Sequence, residues 1–582
     1  MFRDLRQFIE ELDRRGELRR VGAEVDPILE ISAIADRVSK LPAAGGQPPQ
    51  TDPVHGRRGG HGLLFEKVKG SDIPVAINVF GSYERMRIAL GIESFEELAK
   101  RVQQLVKPEM PTTLLEKLKK IPDLAKLAGF GPKVGKRGIC QEVVRTDDAS
   151  LFDLPIIQCW PRDGEPAGAL RTTNDELRRG GIEGSRDRGI EGSRDQGTEG
   201  RRDEGTEGRR DGGTEGSGDQ GIDGSRDEGI EEVPPRIGNR QSGIGNLIGT
   251  GRYITFAGIY TKDPETGVRN VGMYRVQVYD AKLAAMHWHM HHDGARHFRT
   301  YKKRGERMPL AIVLGGEPVL PYAATCPLPP DVSELLFAGF LNGGGIELVP
   351  CKTIPLEVPA NAEIVIEGWV DIERTLVEGP FGDHTGFYSL ADRYPAFHVS
   401  AITHRENPVF PATIVGKPPQ EDYYLGKATE RIFLPLLQML IPDVIDYDLP
   451  MFGAFHNCVF VKIRKEYPMQ ARKVMSSIWG AGQMMFSKMI VVVDEQVNVH
   501  DEQDVLFHMG ANVDWRRDTM IVDGPCDILD HATPYYGTGA KIGIDATRKI
   551  AGEGVVREWP EELEMSREVA ALVERRWGEY GF

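Results

Sequence analysis

Two carboxylates, Glu378 and Asp383, stand five residues apart across the turn sequence Gly-Pro-Phe-Gly. The run from Glu363 to Ile372 is apolar and β-branched at Ile364, Val365, Ile366 and Val370, which predicts a strand leading into that turn. A strand feeding a Gly/Pro turn presents both acids at one rim of a sheet. Two acids held close cannot both ionise freely, so one keeps its proton near neutral pH. That is how a general acid is made. A solvated turn explains the same residues, and the pair by itself does not decide between the two.

Other residues extend the chemistry. Asn270, His292 and Glu334 are an amide, an imidazole and a carboxylate. Such a mixed set suits Mn²⁺ or Mg²⁺ with a phosphate completing the sphere. Their spacing alone does not demand a metal, and a histidine in an apolar strand also serves as a hydrogen-bonded core residue. The run Met286-His-Trp-His-Met-His-His292, read as a strand, puts His287, His289 and His291 on one face and His292 on the other. That cluster would also take nickel or zinc. Arg275 lies five residues after Asn270, on the opposite face of a regular strand. Beside a carboxylate it would depress that group's pKa, or it would hold a substrate carboxylate bidentately. A surface salt bridge is the alternative.

The elements that must position these residues follow from pattern. A chain of 582 residues holds two to four domains and buries a large core. A formal net charge of −15 argues against a nucleic-acid surface. No apolar run approaches the length of a membrane span, and Met1-Phe-Arg-Asp-Leu-Arg lacks the apolar core of a signal peptide. Six scattered cysteines without a Cys-x-x-Cys fit buried thiols in a reducing compartment. A cytoplasmic protein is expected. Phe2, Leu5, Ile9 and Leu12 recur at helical spacing, and a second apolar segment follows up to about residue 40. Strands at Leu63–Phe65 and Val75–Val79 alternate with helices near Tyr83–Gly91 and Phe95–Val106, an α/β pattern. The lysines of Leu114–Leu127 read as a solvated face, with contact to acidic lipid as the option. Tyr253–Thr261 and Val271–Tyr279 read as strands joined by the hairpin turn Lys262-Asp-Pro-Glu-Thr-Gly267. With Ala311–Leu314 and Glu363–Ile372 they predict a β-rich, barrel-like middle domain. Beyond Pro411 the pattern returns to α/β, with a helix at Lys427–Leu440, a buried strand at Met489–Val493 and a closing helix at Ser566–Trp577.

Residues 181–228 are a regular octapeptide array, from GIEGSRDR through GTEGRRDE to GIDGSRDE. Each unit offers at most one isoleucine among glycines and charges, so it has no core to pack. Calcium-binding rolls use a nine-residue period with another Gly/Asp pattern. A disordered insert is expected, its edges reaching about Glu165 and Thr250. Gly243-Ile-Gly-Asn-Leu-Ile-Gly249 does not match the dinucleotide fingerprint.

Several runs together resemble the UbiD family of prenylated-flavin decarboxylases. They are Asn270-Val-Gly-Met-Tyr-Arg275, Glu334 in Asp331-Val-Ser-Glu-Leu-Leu, and Glu378-Gly-Pro-Phe-Gly-Asp383. Gly416-Lys-Pro-Pro-Gln-Glu-Asp422, Ala428-Thr-Glu-Arg-Ile432 and Lys541-Ile-Gly-Ile-Asp-Ala-Thr547 continue the resemblance. It covers nearly the whole chain except the octapeptide insert. In this family Cys159-Trp-Pro-Arg-Asp-Gly164 runs almost directly into Gly251-Arg-Tyr-Ile-Thr255, so the insert interrupts a loop, where added length is tolerated.

The resemblance implies a multidomain α+β fold: an N-terminal α/β domain (1–164), the insert (165–250), a central split β-barrel that binds flavin and metal (251–375), and a C-terminal α/β domain (376–582). The last would carry the acids at its start and an oligomerisation surface. It also implies roles. Asn270, His292 and Glu334 match the positions that hold a divalent metal, Mn²⁺ or Mg²⁺, on the flavin phosphate, with K⁺ as a further candidate. His292 is preferred to His291 because its distance to Glu334 fits the family without a gap. Met273, Tyr274, Arg275, Trp288, His289, Met290, Asp293, Gly294 and Lys488 match flavin-contacting positions. Arg275, Glu378 and Asp383 match the catalytic network, whose last acid is Asp or Glu among members. The cofactor implied is prenylated FMN, supplied by a flavin prenyltransferase.

The activity implied is a reversible, non-oxidative decarboxylation of an aromatic or α,β-unsaturated acid. A 4-hydroxybenzoate-type acid in ubiquinone or other quinone biosynthesis is the first reading. A menaquinone-branch or aromatic-degradation decarboxylase is the second. A plain FMN oxidoreductase and a non-catalytic flavin-binding protein are readings of another class. No nucleic-acid partner is expected; a homo-oligomer, dimer or hexamer, is expected, with peripheral membrane contact as an option. Deleting Gly181–Glu228 should leave soluble yield and flavin content unchanged; a large loss of either, measured on the purified deletion variant, would refute a dispensable insert.

Overall fold

The computed structural model describes residues 1–106, 129–165, 249–289, 292–328, 332–454, 456–563 and 565–581. They belong to one compact unit, formed by 1–177 with 248–582. The octapeptide array, the Leu114–Leu127 lysines, all of Gly243–Gly249 but its last residue, Met290 and His291 lie outside the described residues. Among the described residues no helix is long and apolar enough to cross a membrane.

The architecture of the described residues is α+β, built on four sheets. At its centre is a nine-stranded antiparallel sheet. Its strand order is Tyr253–Ile254, Val276–Asp280, Leu283–Met286, Asp392–His404, Ala362–Glu378, Met308–Gly315, Gly258–Lys262 and Arg269–Met273, with Val143–Arg145 added beside Asp392–His404. The end strands do not pair with each other among the described residues, so the sheet is a half-barrel. Side chains alternate between its faces with period two. Leu310, Ile312 and Leu314 enter one core with Ile364 and Ile366, whereas Ala311, Val313 and Val365 enter another. Burial on both faces explains why Met308–Gly315 is almost continuously apolar.

The predicted hairpin forms. Asp263 Oδ1 accepts the amides of Glu265 (2.8 Å) and Thr266 (2.9 Å), an Asx turn, and Gly267 takes φ +75°. The strands expected at Tyr253–Thr261 and Val271–Tyr279 are each broken in two. Gly258–Lys262 pairs with Arg269–Met273 at one end of the sheet, while Tyr253–Ile254 pairs with Val276–Asp280 at the other. Tyr274 and Arg275 therefore carry the chain across the open side of the half-barrel. Three Cα–Cα steps reach at most about 11 Å, which bounds the width of that opening between Met273 and Val276. Alternation along the sequence could not reveal this break, because both halves are apolar strand sequence.

A second departure concerns the acids. The strand expected to stop at Ile372 runs from Ala362 to Glu378, with a register shift between Val370 and Thr375. Its partner Asp392–His404 returns antiparallel and pairs Asp392 with Glu378. The expected boundary at 375/376 falls inside this strand, and both acids belong to the rim of the central sheet. In the run Met286–His292 the strand ends at Met286, residues 287–289 lie outside it, and His292 stands at the N-cap position of the helix Asp293–Arg304.

The flanking sheets interleave chain segments. Leu18–Val25, Gly62–Val68 and Val75–Ile77 form a sheet with the distant Phe410–Ala412, and Lys133–Val134 joins Glu347–Pro350 and Glu357–Pro359. The last sheet, in the order Val444–Asp448, Cys458–Ile463, Met489–Asp494, Thr538–Asp545 and Thr519–Pro525, buries apolar residues on both faces. The helix expected from Lys427 begins at Glu421, after the extended Gln420, so that Glu421 and Asp422 occupy its first turn. All six cysteines are free thiols, four buried and two half-buried.

The loop 159–165 and the turn after Glu378 pack together. An added Cβ on Gly164 would lie 2.4 Å from the Thr250 carbonyl, and one on Gly251 2.8 Å from that of Asp163. The chain ends flanking 166–248 are thus neighbours. The acid turn leans on the same loop: a Cβ on Gly382 would lie 2.1 Å from Trp160 Cδ1, whose indole is tied to the Val415 carbonyl (2.9 Å). Gly382→Ala should therefore destabilise the protein by about 1–3 kcal/mol through overpacking. A shift in the urea unfolding midpoint measures it; an unchanged midpoint would refute the close packing.

Candidate active site

Arg275 is placed by the break it sits in. It lies between two strands, its carbonyl accepting the His287 amide (3.3 Å), and its side chain enters the rim where Glu378 ends its strand. The guanidinium meets Glu378 through two bonds, Nε to Oε1 (3.1 Å) and Nη2 to Oε2 (2.9 Å). Its Nη1 donates to Asp383 Oδ2, and Nη2 also reaches Ser389 Oγ (3.1 Å). Its flat face lies 4.6 Å over the Phe381 ring. One arginine thus bridges both acids read from the sequence. Arg275 and Asp383 side chains are 9% exposed and Glu378 not at all.

The turn is held from below. Asp163 Oδ1 accepts the Gly382 amide (2.8 Å), while its Oδ2 accepts those of Trp160 (2.8 Å) and Cys159 (3.1 Å). Gln277, buried on the central sheet, accepts the Gly379 amide (3.0 Å). Asp383 N donates to the Phe387 carbonyl (3.0 Å), closing a small loop back toward Ser389. These contacts fix the backbone of both acids before any ligand is considered.

Burial alone would raise both carboxyls, but Arg275 outweighs it. With His287 it holds Glu378 below the usual carboxylate range, and with His384 it does the same to Asp383. Both acids are therefore anions in this arrangement, which corrects the expectation that one keeps its proton through mutual repulsion. The reason is the shared guanidinium between them. His287 Nδ1 donates to Glu378 Oε2 (2.8 Å), so its Nε2 is an acceptor, and His289 Nε2 donates to it (2.8 Å). Burial and Arg275 hold His287 below the ordinary imidazole range. His289 is pushed down to about 2 by burial and its histidine neighbours.

The second expected set gathers around Tyr274. Asn270 lies on the edge strand, and Glu334 opens the helix Glu334–Asn342, with Oε2 accepting the Val271 amide (2.8 Å). The Tyr274 ring stacks on His292 at 4.8 Å, and its hydroxyl meets the Asn270 side chain and the Gly294 amide. Asn270 and His292 thus touch one aromatic ring, and Glu334 is bonded to the backbone of the strand next to Asn270. His292 Nδ1 accepts the His289 amide (3.0 Å), so a cation bound there would replace that partner. Burial pushes the Glu334 carboxyl up to about 7. A divalent cation beside it would reverse that shift, so oxygen donors from Asn270 and Glu334 with an imidazole fit Mn²⁺ or Mg²⁺.

The remaining expected flavin contacts scatter more. Met273 ends the edge strand, Trp288 is buried against Phe298 (5.4 Å), and His289 stacks on His292 (5.0 Å). Asp293 pairs with Arg296 at 3.2 Å, and Gly294 lies against the Tyr274 ring, which a Cβ would approach to 3.2 Å. Lys488 pairs with Asp530 at 2.8 Å. Met290 lies outside the described residues. Four residues at the site escaped sequence reasoning in any role: Asp163, Ser389, His384 and Asp527. His384 follows Asp383 directly, a signal that was available; Asp163 and Asp527 are remote in sequence from the acids and carry no local pattern.

Comparison with known proteins places this geometry. Family models of the 3-octaprenyl-4-hydroxybenzoate carboxy-lyase match the chain with an N-terminal domain over residues 9–105, a Rift-related domain over 249–418 and a C-terminal domain over 423–546. An uncharacterized protein of Aquifex aeolicus is 44% identical over 581 residues, covering 100% of this chain and 99% of its own. The vanillic acid decarboxylase of Sedimentibacter hydroxybenzoicus, in closed form, superposes with a TM-score of 0.73 at 24% identity and 100% coverage of both chains. The UbiD-class enzyme HmfF of Pelotomaculum thermopropionicum, in complex with FMN, gives 0.66 at 23% identity, covering 95% of this chain and 97% of its own. Its evolved dimeric form, in complex with prFMN, gives 0.64 at 22% identity, with 97% of each chain covered. Below 25% identity these structures establish the shared fold, while the family models and the 44% identical relative establish kinship. The chain belongs to the UbiD family of carboxy-lyases.

Proposed function

We propose that this protein is a cytoplasmic, non-oxidative carboxy-lyase that removes CO₂ from an aromatic or α,β-unsaturated acid with prenylated FMN and a divalent metal. The observation that carries this reading is Arg275 bridging Glu378 and Asp383 at a buried rim, in a chain of this family. A 4-hydroxybenzoate-type acid of quinone biosynthesis is the substrate class favoured, because the family models carry that acid in their description. Asn270, His292 and Glu334 would hold the metal, with Met273, Tyr274 and the Trp288–Gly294 segment beside the flavin. Prenylated FMN supplies, when bound, an electron sink for the carbon that loses CO₂.

The protein's own residues supply the rest. Arg275 keeps its charge at all working pH and draws an incoming carboxylate to the rim while its bonds hold Glu378 and Asp383 in place. Glu378 holds Arg275 by two bonds and keeps His287 in one tautomer. Phe381 covers the guanidinium and excludes water from one side. Asp383 is placed to return a proton to the product carbon. A homo-oligomer and a flavin prenyltransferase as cofactor source belong to the same reading.

Two outcomes test it. After co-expression with a flavin prenyltransferase, Asp383→Asn should keep fold, flavin and metal, while CO₂ release and solvent-deuterium exchange fall by at least about a hundredfold. Near-normal turnover would remove Asp383 from the role. Glu334→Gln should lower metal and flavin content together, read by elemental analysis and absorbance of the purified protein; loss of neither would remove Glu334 from the metal set. Mass spectrometry of the released cofactor separates prenylated FMN from plain FMN, the latter indicating an oxidoreductase.

A further inference from the structure

The charges at the rim do not balance among the three residues named so far. Glu378 and Asp383 bring two carboxylates and Arg275 one guanidinium. His287, bonded to Glu378, adds no second cation, since burial and Arg275 hold it below the ordinary imidazole range. His384 is placed to do so. Its backbone amide donates to Asp383 Oδ1 (2.8 Å), and its Nδ1 lies 3.1 Å from the same oxygen, while Arg275 engages Oδ2. Both oxygens of Asp383 therefore already accept, and the titratable proton nearest to Asp383 is one on His384 Nδ1.

The elements packed around His384 favour its charged form. Asp422 faces it from the first turn of the helix Glu421–Leu440, and Asp527 from the loop after Thr519–Pro525. His456, just before the strand Cys458–Ile463, brings its ring to 6.2 Å from that of His384 and its Nε2 to 3.0 Å from Asp527 Oδ2. Burial disfavours the imidazolium, but Asp383, Asp527 and Asp422 outweigh it and push His384 up to about 9. Burial pushes Asp422 up to about 7, and the Asp527 carboxyl is held below its usual range by His456 and His384 in spite of burial.

This resting arrangement leaves Asp383, the proton donor of the proposed function on which the inference rests, without a proton. We propose that His384 is the proton store of Asp383, loading it once per turnover from Nδ1, with the same nitrogen reprotonated from solvent before the next turnover. The Nδ1–H bond breaks as Oδ1–H forms on Asp383; that bond then breaks as the product C–H bond forms. The substrate loses CO₂, and one solvent proton restores the imidazolium, so that RCOO⁻ and H⁺ become RH and CO₂ with no redox partner. His384 acts through Asp383 and is a positioning, proton-supplying residue.

His384→Asn tests this, because the asparagine Nδ2 stands where Nδ1 stood and still donates to Asp383 while carrying no titratable proton. In enzyme reconstituted with prenylated FMN and Mn²⁺, kcat should fall by at least about tenfold, and the alkaline limb near pH 9 should vanish. KM and flavin content should stay within about twofold, the split expected when binding is untouched. Wild-type kcat and an unchanged alkaline limb in His384→Asn would overturn the proposal. A second readout needs no turnover. In histidine-selective NMR of the cofactor-free chain, the resonance lost in His384→Asn should titrate near 9 and move down in Asp383→Asn. A titration at the ordinary value of about 6.5, or no response to Asp383→Asn, overturns the store. A failed titration thus counts against His384, whereas an enzyme that decarboxylates no aromatic acid counts against the function it serves.

Discussion

The structure depends on one buried cation held between two anions. Arg275 is nearly enclosed, and everything at the rim is arranged to make that tolerable. Removing a guanidinium from water costs several kcal/mol, recovered only when geometry is good and the remaining donors are satisfied. Both conditions hold: two parallel bonds to Glu378, one to Asp383, one to Ser389, and an aromatic face beneath. Taking away one partner would strand a buried charge, at a cost of about 3–5 kcal/mol. The pairs are therefore as much a positional device as a source of stability.

That constraint explains the shape of the half-barrel. The chain must leave its ladder at Tyr274 and Arg275 to bring the guanidinium to the opening, and it resumes pairing at Val276 on the far end of the sheet. The long strand must carry past Ile372 to Glu378 so that the first acid reaches the same opening. The turn beyond it must run close against Trp160 and Gly164, which only glycine at 379 and 382 permits. Three backbone amides hold Asp163 in place but offset only part of its burial, which pushes its carboxyl up to about 7. A loop far away in sequence thereby fixes where Asp383 stands.

The electrostatics of the two halves of the site point in opposite directions. Around Arg275 the carboxyls are driven to ionise; around Tyr274 burial raises the Glu334 carboxyl toward neutrality. The first half sets one guanidinium between two carboxylates. The second carries an acid that a cation would stabilise. Asn270 and Arg275, five residues apart, therefore lie in different charge environments because the strand breaks between them.

Local pattern determined a good part of this. Helical spacing placed Leu5–Arg14 and Phe95–Val106, and the Asx-turn residues after Lys262 placed the hairpin. The pairing of Glu378 with Asp383 across a Gly/Pro turn was legible because residue type and spacing are local properties. What only tertiary structure decided is everything that depends on charge environment and strand breaks. Apolar alternation is the same whether Val271–Tyr279 is one strand or two, and a carboxyl pair reads as a shared-proton acid until an arginine is set between them. His384 was visible as a neighbour of Asp383, but Asp383 favours its charged form together with Asp527 and Asp422, which the fold brings from two distant elements. Sequence carries the donors and acceptors; which of them hold a proton is a property of their surroundings, and those exist only in three dimensions.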